Sequence, residues 1–181
     1  MKKFELTAEF VTNVFGKKLF RIKALVAFGD VEKGELGGFI EKEDNLSHDG
    51  NAWVYGNARV FGNAQVYGNA QVFGNARVSG NAWVYGNAQV SGDAQVSGDA
   101  RVYDDADYAV VKGFGRCFRT TTFFRCKDKI LRVQCGCFYG DLAQFREIVK
   151  KTHGDSKYAK EYLAIADLME LHFSDECGGE Q

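Results

Sequence analysis

The longest pattern in the chain is a six-residue phrase, N-A-x-V-y-G, that repeats from Asn51 to Asp104 with small changes. Alanine and valine stand two residues apart in each phrase, so on an extended strand both side chains point the same way and the x and y side chains point the other way. Glycine and the asparagine after it form a corner, because glycine adopts backbone conformations that other residues disfavour. The pattern therefore predicts a coil of short sides with alanine and valine inside.

Three such sides make one 18-residue turn of a parallel β-helix. Adding 18 to each position predicts three interior valine ladders, which are Val54, Val72 and Val90; Val60, Val78 and Val96; and Val66, Val84 and Val102. At about 4.8 Å between parallel strands, about four coils are roughly 20 Å tall. Two phrases before Asn51 keep the six-residue spacing, NLSHDG (45–50) and KGELGG (33–38). In the first, Leu46 and His48 take the interior positions of alanine and valine, and in the second Leu36 takes the position of valine. The repeat body is therefore expected to begin near residue 33.

The repeat resembles the hexapeptide-repeat, left-handed β-helix proteins. In their phrase a small residue follows an aliphatic one by four places, as Ala58 follows Val54 and Ala64 follows Val60. The glycine departs from that phrase, because it stands two places after the aliphatic residue instead of one. The resemblance covers about residues 33 to 108. It implies a left-handed coil and assembly as a homo-oligomer, with a trimer favoured.

The two ends of the chain follow other patterns. Apolar and polar residues alternate over 3–12 and 19–26, which predicts a β-hairpin that covers the first coil. After the repeats, YAVVKGFG, RTTTFFRC and ILRVQCGCF predict three strands, and two helices follow, the first capped by Asp141 and ended by Gly154. We therefore expect a mainly β fold: a left-handed parallel β-helix (31–108) with an N-terminal β-hairpin cap (1–30) and a small C-terminal α+β domain (109–181).

The C-terminal part carries a second resemblance. Its phrases TTTFFR, CGCF and THGDSKYAKEYL are similar to those of uncharacterised proteins carried by phages and prophages of gut bacteria. This resemblance implies a phage setting and no particular activity.

Aromatic side chains occupy many outward positions of the coil. Such rings stabilise strands by stacking on one another, and so much outward aromatic area also indicates a face covered by another subunit, a partner or the terminal segments. The residues that we assign to an oligomer interface are Trp53, Tyr55, Tyr67, Phe73, Trp83, Tyr85 and Tyr103.

Composition narrows the class of protein. The net charge is −1 over 181 residues, although residues 105–140 hold an excess of basic side chains. No apolar run is long enough to span a membrane, and the N-terminus lacks the apolar core of a signal peptide, so we expect a cytoplasmic protein without a membrane partner. The five cysteines are an odd number and suit buried free thiols better than a disulfide framework.

The sequence offers little that is typical of catalysis. His48 could be the base of a hexapeptide acyltransferase, but its slot points inward; His153, just before Gly154, suits the C-terminus of a helix. Cys117, Cys126, Cys135 and Cys137 lack the close pairs of a zinc site, and Cys135 and Cys137 would lie on one side of one strand. We expect no catalytic residue, no metal and no cofactor.

The basic segment from Lys112 to Arg132 contains the best candidates for ligand binding. Arginine binds phosphate at two points and aromatic rings stack on bases, so the segment would suit a nucleotide; a solvated hairpin is the alternative. The residues that we assign to a compact anion are Arg116, Arg119, Phe123, Arg125 and Lys127.

The patterns together favour a non-enzymatic, oligomeric binding protein of phage type. Its expected partner is a small phosphorylated ligand or a host protein, and in a phage setting it could antagonise host defence by sequestering a nucleotide signal. A net charge near zero argues against duplex DNA. A hexapeptide-repeat acyltransferase and a self-assembling structural module remain as alternatives.

Overall fold

A computed structural model describes residues 2–174. The first three strands are β1 (Phe4–Thr12), β2 (Lys18–Ala24) and β3 (Leu36–Ile40). Nine two-residue strands follow: β4 (Trp53–Val54), β5 (Arg59–Val60), β6 (Gln65–Val66), β7 (Gln71–Val72), β8 (Arg77–Val78), β9 (Trp83–Val84), β10 (Gln89–Val90), β11 (Gln95–Val96) and β12 (Arg101–Val102). The last elements of the described residues are β13 (Tyr108–Phe114), β14 (Arg119–Arg125), β15 (Leu131–Cys135), β16 (Phe138–Asp141), α1 (Leu142–His153) and α2 (Lys157–His172).

The repeats form a parallel β-solenoid of about four turns. Strands 18 residues apart pair in parallel, so that Val54 lies beside Val72, Val60 beside Val78 and Val66 beside Val84. The stacked strands make three sheet faces, β4-β7-β10, β5-β8-β11 and β6-β9-β12. The three predicted valine ladders are therefore confirmed. The left hand of the coil stays a prediction from the resemblance.

Each position of the hexad has a physical role in the solenoid. Every alanine and valine of the phrase between Ala52 and Val102 is fully buried. The corner asparagines bond along the stack, as Asn69 does when its amide donates to Asn87 at 3.2 Å. The corner at Gly68 has φ +72°, and a Cβ there would lie 3.1 Å from the backbone nitrogen of Gly86, so both conformation and space favour glycine.

The N-terminal strands cover one end of the solenoid, as predicted. β1 and β2 form the hairpin, β2 pairs with β3, and β3 then joins the solenoid sheet in parallel beside β5. Phe4 and Ile22 of this hairpin belong to the same apolar core as the solenoid valines. The open end of the first coil is thus closed by apolar side chains.

The predicted frame of the first coil is wrong by two residues. Leu46, not His48, lies beside Val66, and Ile40 lies in the interior slot beside Val60. The chain between Ser47 and Gly50 bulges outward, which leaves His48 half-exposed. Leu36 is consequently outside the coil, where it is 53% exposed and pairs with β2.

The C-terminal domain is an antiparallel sheet in the order β13-β14-β15-β16, with two helices. Four strands replace the three expected ones, because the phrase ILRVQCGCF turns at Gly136 and divides into β15 and β16. The turn also corrects the expectation that Cys135 and Cys137 share one strand. The carboxylate of Asp141 accepts a bond from the backbone of Gln144 and begins α1, as predicted.

Strand β14, inside the sheet, is covered on both faces. Phe124 and Cys126 pack on the last coil of the solenoid, whereas Phe123 and Val133 pack on the helices. The backbone of Gln95 donates to the hydroxyl of Thr122 at 3.0 Å, and Ala100 pairs with Cys126 in a short antiparallel bridge. The C-terminal domain therefore closes the second end of the solenoid. No helix among residues 2–174 is long and apolar enough to cross a membrane.

Candidate functional site

A groove lies where the last solenoid coil meets the C-terminal sheet, and we call it the junction groove. It has a volume of about 530 Å³. The side chains that line it are Tyr85, Arg101, Asp107, Arg125, Cys126, Lys127 and Lys129. Four of the seven are cationic and one is acidic, so the lining carries an excess of positive charge.

Two lysines reach the junction groove from the turn between β14 and β15. The backbone nitrogen of Lys129 donates to the carbonyl of Cys126 at 2.8 Å, and the backbone nitrogen of Lys127 donates to the carbonyl of Asp99 in the last coil at 3.0 Å. The carboxylate between them, Asp128, is held by Arg132 at 2.7 Å. Within residues 2–174, neither lysine forms a side-chain ion pair, so their ammonium charges are available to a ligand.

The two arginines of the junction groove are held more rigidly. Arg101 Nη1 donates to the carbonyls of Asn81, Asp99 and Ala100 at 2.8–3.1 Å, and its guanidinium lies 4.2 Å from the centroid of the Trp83 ring. Arg125 donates to the carbonyl of Phe173 at 3.1 Å and faces Asp107 at 3.6 Å. Both cations are therefore placed before any ligand arrives.

Cys126 lines the same groove but is not a ready nucleophile. Burial raises the pKa of its thiol, and burial together with Cys126 raises the pKa of Tyr139 to about 12. Both groups therefore stay protonated at neutral pH, and a thiol reacts as its thiolate.

A second cavity lies within the C-terminal domain, and we call it the C-terminal cleft. Its volume is about 490 Å³, and it separates the turn before β14 and the β15–β16 turn from α1 and α2. Arg116 and Arg119 stand at this cleft together with Cys117, Cys135 and Cys137. The structure thus brings two of the predicted anion-binding arginines together here.

The predicted anion-binding residues do not form one site. Arg116 and Arg119 line the C-terminal cleft, while Arg125 and Lys127 line the junction groove. Arg119 and Arg125 lie at opposite ends of β14, about 20 Å apart at the rise of a strand. Phe123 cannot stack on a ligand, because it is fully buried and packs edge-on against Phe145 at 6.0 Å.

Two cationic residues of the junction groove, Arg101 and Lys129, were not assigned to a ligand site from the sequence. Arg101 belongs to the solenoid and Lys129 to the basic segment, and the docking of the C-terminal sheet on the last coil, which includes the bridge between Ala100 and Cys126, brings the two regions together. From the sequence, Arg101 could have been considered for a ligand site only because it occupies an outward position on the last coil.

Residues 52–68, 70–86 and 94–106 match the protein-family model described as YdcK Beta solenoid repeat. All three matched segments lie in the solenoid, so the match supports the resemblance to repeat β-helix proteins. The hexapeptide-repeat assignment and the phage setting stay predictions. No curated protein matches the chain.

His48 does not have the geometry of a free general base. Its Nδ1 accepts a bond from the backbone nitrogen of Lys3 at 3.2 Å, and its Nε2 lies 3.6 Å from a carboxylate oxygen of Glu43. The ring also stacks on Phe4 with 4.3 Å between the centroids. Because both nitrogens have partners within the chain, His48 fits a structural role better than that of an acyltransferase base.

The other residues considered for chemistry are dispersed. His153 ends α1 and lies 5.9 Å from the Tyr162 ring. Cys117 and Cys137 are exposed in turns rather than buried, whereas Cys126 is buried; Cys177 lies outside the described residues. Among residues 2–174, no three His, Cys, Asp or Glu side chains are grouped to hold a metal ion.

The outward aromatic residues divide into a covered and an uncovered set. Trp53 corrects our assignment, because it is fully buried between Phe4 and Phe28 under the N-terminal hairpin. Trp83 and Tyr103 are 39% and 53% exposed. The remaining four, Tyr55, Tyr67, Phe73 and Tyr85, are half-buried.

Proposed function

We propose that this protein is a non-enzymatic binding protein whose junction groove holds a small phosphorylated ligand of the nucleotide type. The observation that carries the proposal is the meeting of four cationic side chains, from the solenoid and from the C-terminal domain, at one groove with a single acidic lining residue. Its volume of about 530 Å³ lies in the range of small-molecule sites.

The cations suit phosphate in complementary ways. Arg101 and Arg125 are held in position by carbonyls and rings, so a ligand would lose less side-chain entropy on meeting them. Lys127 and Lys129 are exposed and can close over a bound phosphate as point charges. A ligand that bridges the two pairs needs more than one negative oxygen, which favours phosphate.

The neighbouring tyrosines support a nucleotide over a bare phosphate. Tyr85 lines the groove and stands between Tyr67, stacked at 5.1 Å, and Tyr103, edge-on at 5.2 Å. Tyr103 ends this ladder and leaves half of its surface exposed. Aromatic faces of this kind accept any base by stacking, and the base would lie beside the cations.

A long nucleic acid is a poorer candidate. Duplex DNA rewards a broad basic surface, and the whole chain carries a net charge of −1. In the phage setting that the sequence resemblance implies, sequestration of a nucleotide signal of host defence is the form that we propose for this binding.

The test begins with the purified protein in a nucleotide extract, and mass spectrometry identifies what stays bound. Calorimetric titration with that nucleotide then compares the wild type with the double variant Lys127→Ala/Lys129→Ala. Loss of charged phosphate contacts should weaken binding roughly ten- to a hundredfold. The matched control, Lys151→Ala/Lys160→Ala, removes two exposed lysines of the helices and should bind as the wild type does. Retention of no nucleotide, or equal loss in both variants, would overturn the proposal.

We also propose that the protein is a homo-oligomer, with a trimer favoured by the resemblance. Support comes from the side of the solenoid that bears Tyr67, Trp83, Tyr85 and Tyr103, where rings remain at the surface after both ends of the coil are covered. Contiguous aromatic area of this kind is typical of an interface. This side adjoins the junction groove through Tyr85, so assembly and ligand binding would affect each other.

A further inference from the structure

The C-terminal cleft has the character of a second binding site. We propose that it binds a small molecule with an apolar body and a single carboxylate. The cleft is separate from the junction groove, so a ligand can bind there whether or not a nucleotide binds in the groove. It has a volume of about 490 Å³, within the range of sites that enclose small ligands.

The walls of the cleft explain the apolar body. Phe138 and Phe145 contribute rings 5.7 Å apart, and Ile148 and Val149 of α1 complete the apolar side. The hydroxyl of Tyr162 already donates to the carbonyl of Phe114 at 3.3 Å, so it presents mainly its ring. A ligand that fills this space gains most from burying apolar surface.

The arginines explain the carboxylate. No aspartate or glutamate of the described chain is among the lining residues, while Arg116 and Arg119 both are. Neither arginine forms an ion pair within residues 2–174. A planar guanidinium binds a carboxylate through two parallel bonds, so this pair can neutralise and orient one anionic head group.

Arg119 lies beside the β15–β16 turn at the edge of the cleft. It packs over the β15–β16 turn so closely that a Cβ at Gly136 would lie 2.5 Å from its Nη1. Glycine at this position suits φ +60°, and the guanidinium occupies the space beside it. The side chain of Arg119 is itself exposed, so its charge lies at the edge of the apolar cavity.

A carboxylate fits this cavity better than a phosphate. The two arginines stand beside an apolar lining, and burying a doubly charged group there costs more than burying a single charge. In the junction groove the lining has four cationic side chains and fewer apolar ones, which suits a more highly charged ligand. The two cavities are therefore expected to select different ligands.

The cysteines of the cleft provide the test. Cys117 and Cys137 are exposed and line it, so a bound ligand should shield them from alkylation by iodoacetamide. We would follow each thiol by mass spectrometry with decanoate below its micellar range, and with 1-decanol and acetate as matched probes that lack the charge or the chain. Decanoate should slow alkylation of both thiols at least fivefold, whereas 1-decanol and acetate should change it less than twofold. Cys126 of the junction groove should keep its rate.

Arg116→Gln/Arg119→Gln should abolish the protection by decanoate, while Lys150→Gln/Lys151→Gln on α1 should preserve it. Circular dichroism and the melting temperature verify that both variants are folded. Equal protection by decanol and decanoate, protection that survives loss of both arginines, or no protection at all would each overturn the proposal. Ile148→Ser offers an independent check from the apolar wall: it is 39% exposed, so it should fold and weaken protection about threefold or more.

Discussion

Arg119 and Arg125 begin and end the same strand, β14, and their side chains line two different cavities. The six-residue interval keeps both side chains on one side of the strand but separates their Cα atoms by about 20 Å. A site that needed both arginines at one phosphate is therefore excluded by the geometry of the strand.

Because the two arginines line different cavities, their substitutions should affect nucleotide binding differently. Arg125→Ala should weaken nucleotide binding by about tenfold, because one charged contact to phosphate is worth roughly 1.5 kcal/mol. Arg119→Ala should leave it unchanged, and it provides the matched control from the same strand. Titration calorimetry on both variants measures the difference. If Arg119→Ala lost binding and Arg125→Ala did not, the ligand would belong to the C-terminal cleft.

The solenoid interior could be predicted from sequence because its geometry is local and repeats. Alanine and valine positions follow from the alternation of a strand and the 18-residue turn, and each is buried as expected. The frame failed only upstream of Asn51, where the bulge at residues 47–50 shifts Leu46 into the slot expected for His48. The phrases before Asn51 match the hexad too weakly for the sequence to show that a loop contains two extra residues.

The predicted ligand site was wrong in its residues for a different reason. We assigned Phe123 to the ligand because aromatic rings stack on bases, and Phe124 follows it on β14. Both are buried, because the solenoid end covers one face of the sheet and the helices cover the other. Which surfaces dock against each other is a tertiary fact, and the same docking brings Arg101 to Lys127. Trp53 shows the same effect at the other end, where the hairpin covers an outward ring.

The second prediction concerns the thin core. Ala70 is fully buried, and its ladder neighbours are Ala52 and Ala88, so Ala70→Leu should overpack the coil and cost about 1–3 kcal/mol. Thermal unfolding measures the cost. Gln71→Leu adds a similar side chain at the neighbouring outward position and should change the melting temperature little. Equal effects of the two substitutions would contradict the assignment of inward and outward positions.

The third prediction concerns assembly. Tyr103 is 53% exposed at the end of the tyrosine ladder, and Tyr103→Glu would place a charge in the proposed interface. Light scattering should show an oligomer for the wild type and a smaller species for this variant, with an unchanged β-type circular dichroism spectrum. Arg77→Glu, on another side of the coil, should assemble as the wild type does. A wild-type protein that scatters only as a 20.1 kDa species would contradict the oligomer.

The last prediction concerns Lys3, a buried cation where the hairpin meets the first coil. Its Nζ donates to the carbonyls of Gly50 at 3.2 Å and Ala52 at 2.9 Å and lies 4.6 Å from the centroid of the Phe28 ring. Burial lowers its pKa from 10.5 to about 8, against the opposing attraction of Asp49. Between these two pH values the unfolded chain binds more protons at this group than the folded chain does. The free energy of unfolding should therefore rise with pH in this window.

Lys3→Met should remove this dependence, since methionine keeps the apolar length without a titrating group. From pH 8 to 10, Lys3 should add roughly 2 kcal/mol to the free energy of unfolding of the wild type, at about 1.4 kcal/mol per pH unit. Burial raises the pKa of Tyr139 and Tyr162 to about 12, which opposes the trend above pH 10 and sets the upper limit of the experiment. Urea denaturation of the wild type, Lys3→Met and the exposed control Lys33→Met at each pH gives the difference. A wild type whose stability relative to Lys3→Met stays level or falls from pH 8 to 10 would show that Lys3 remains charged in the folded protein.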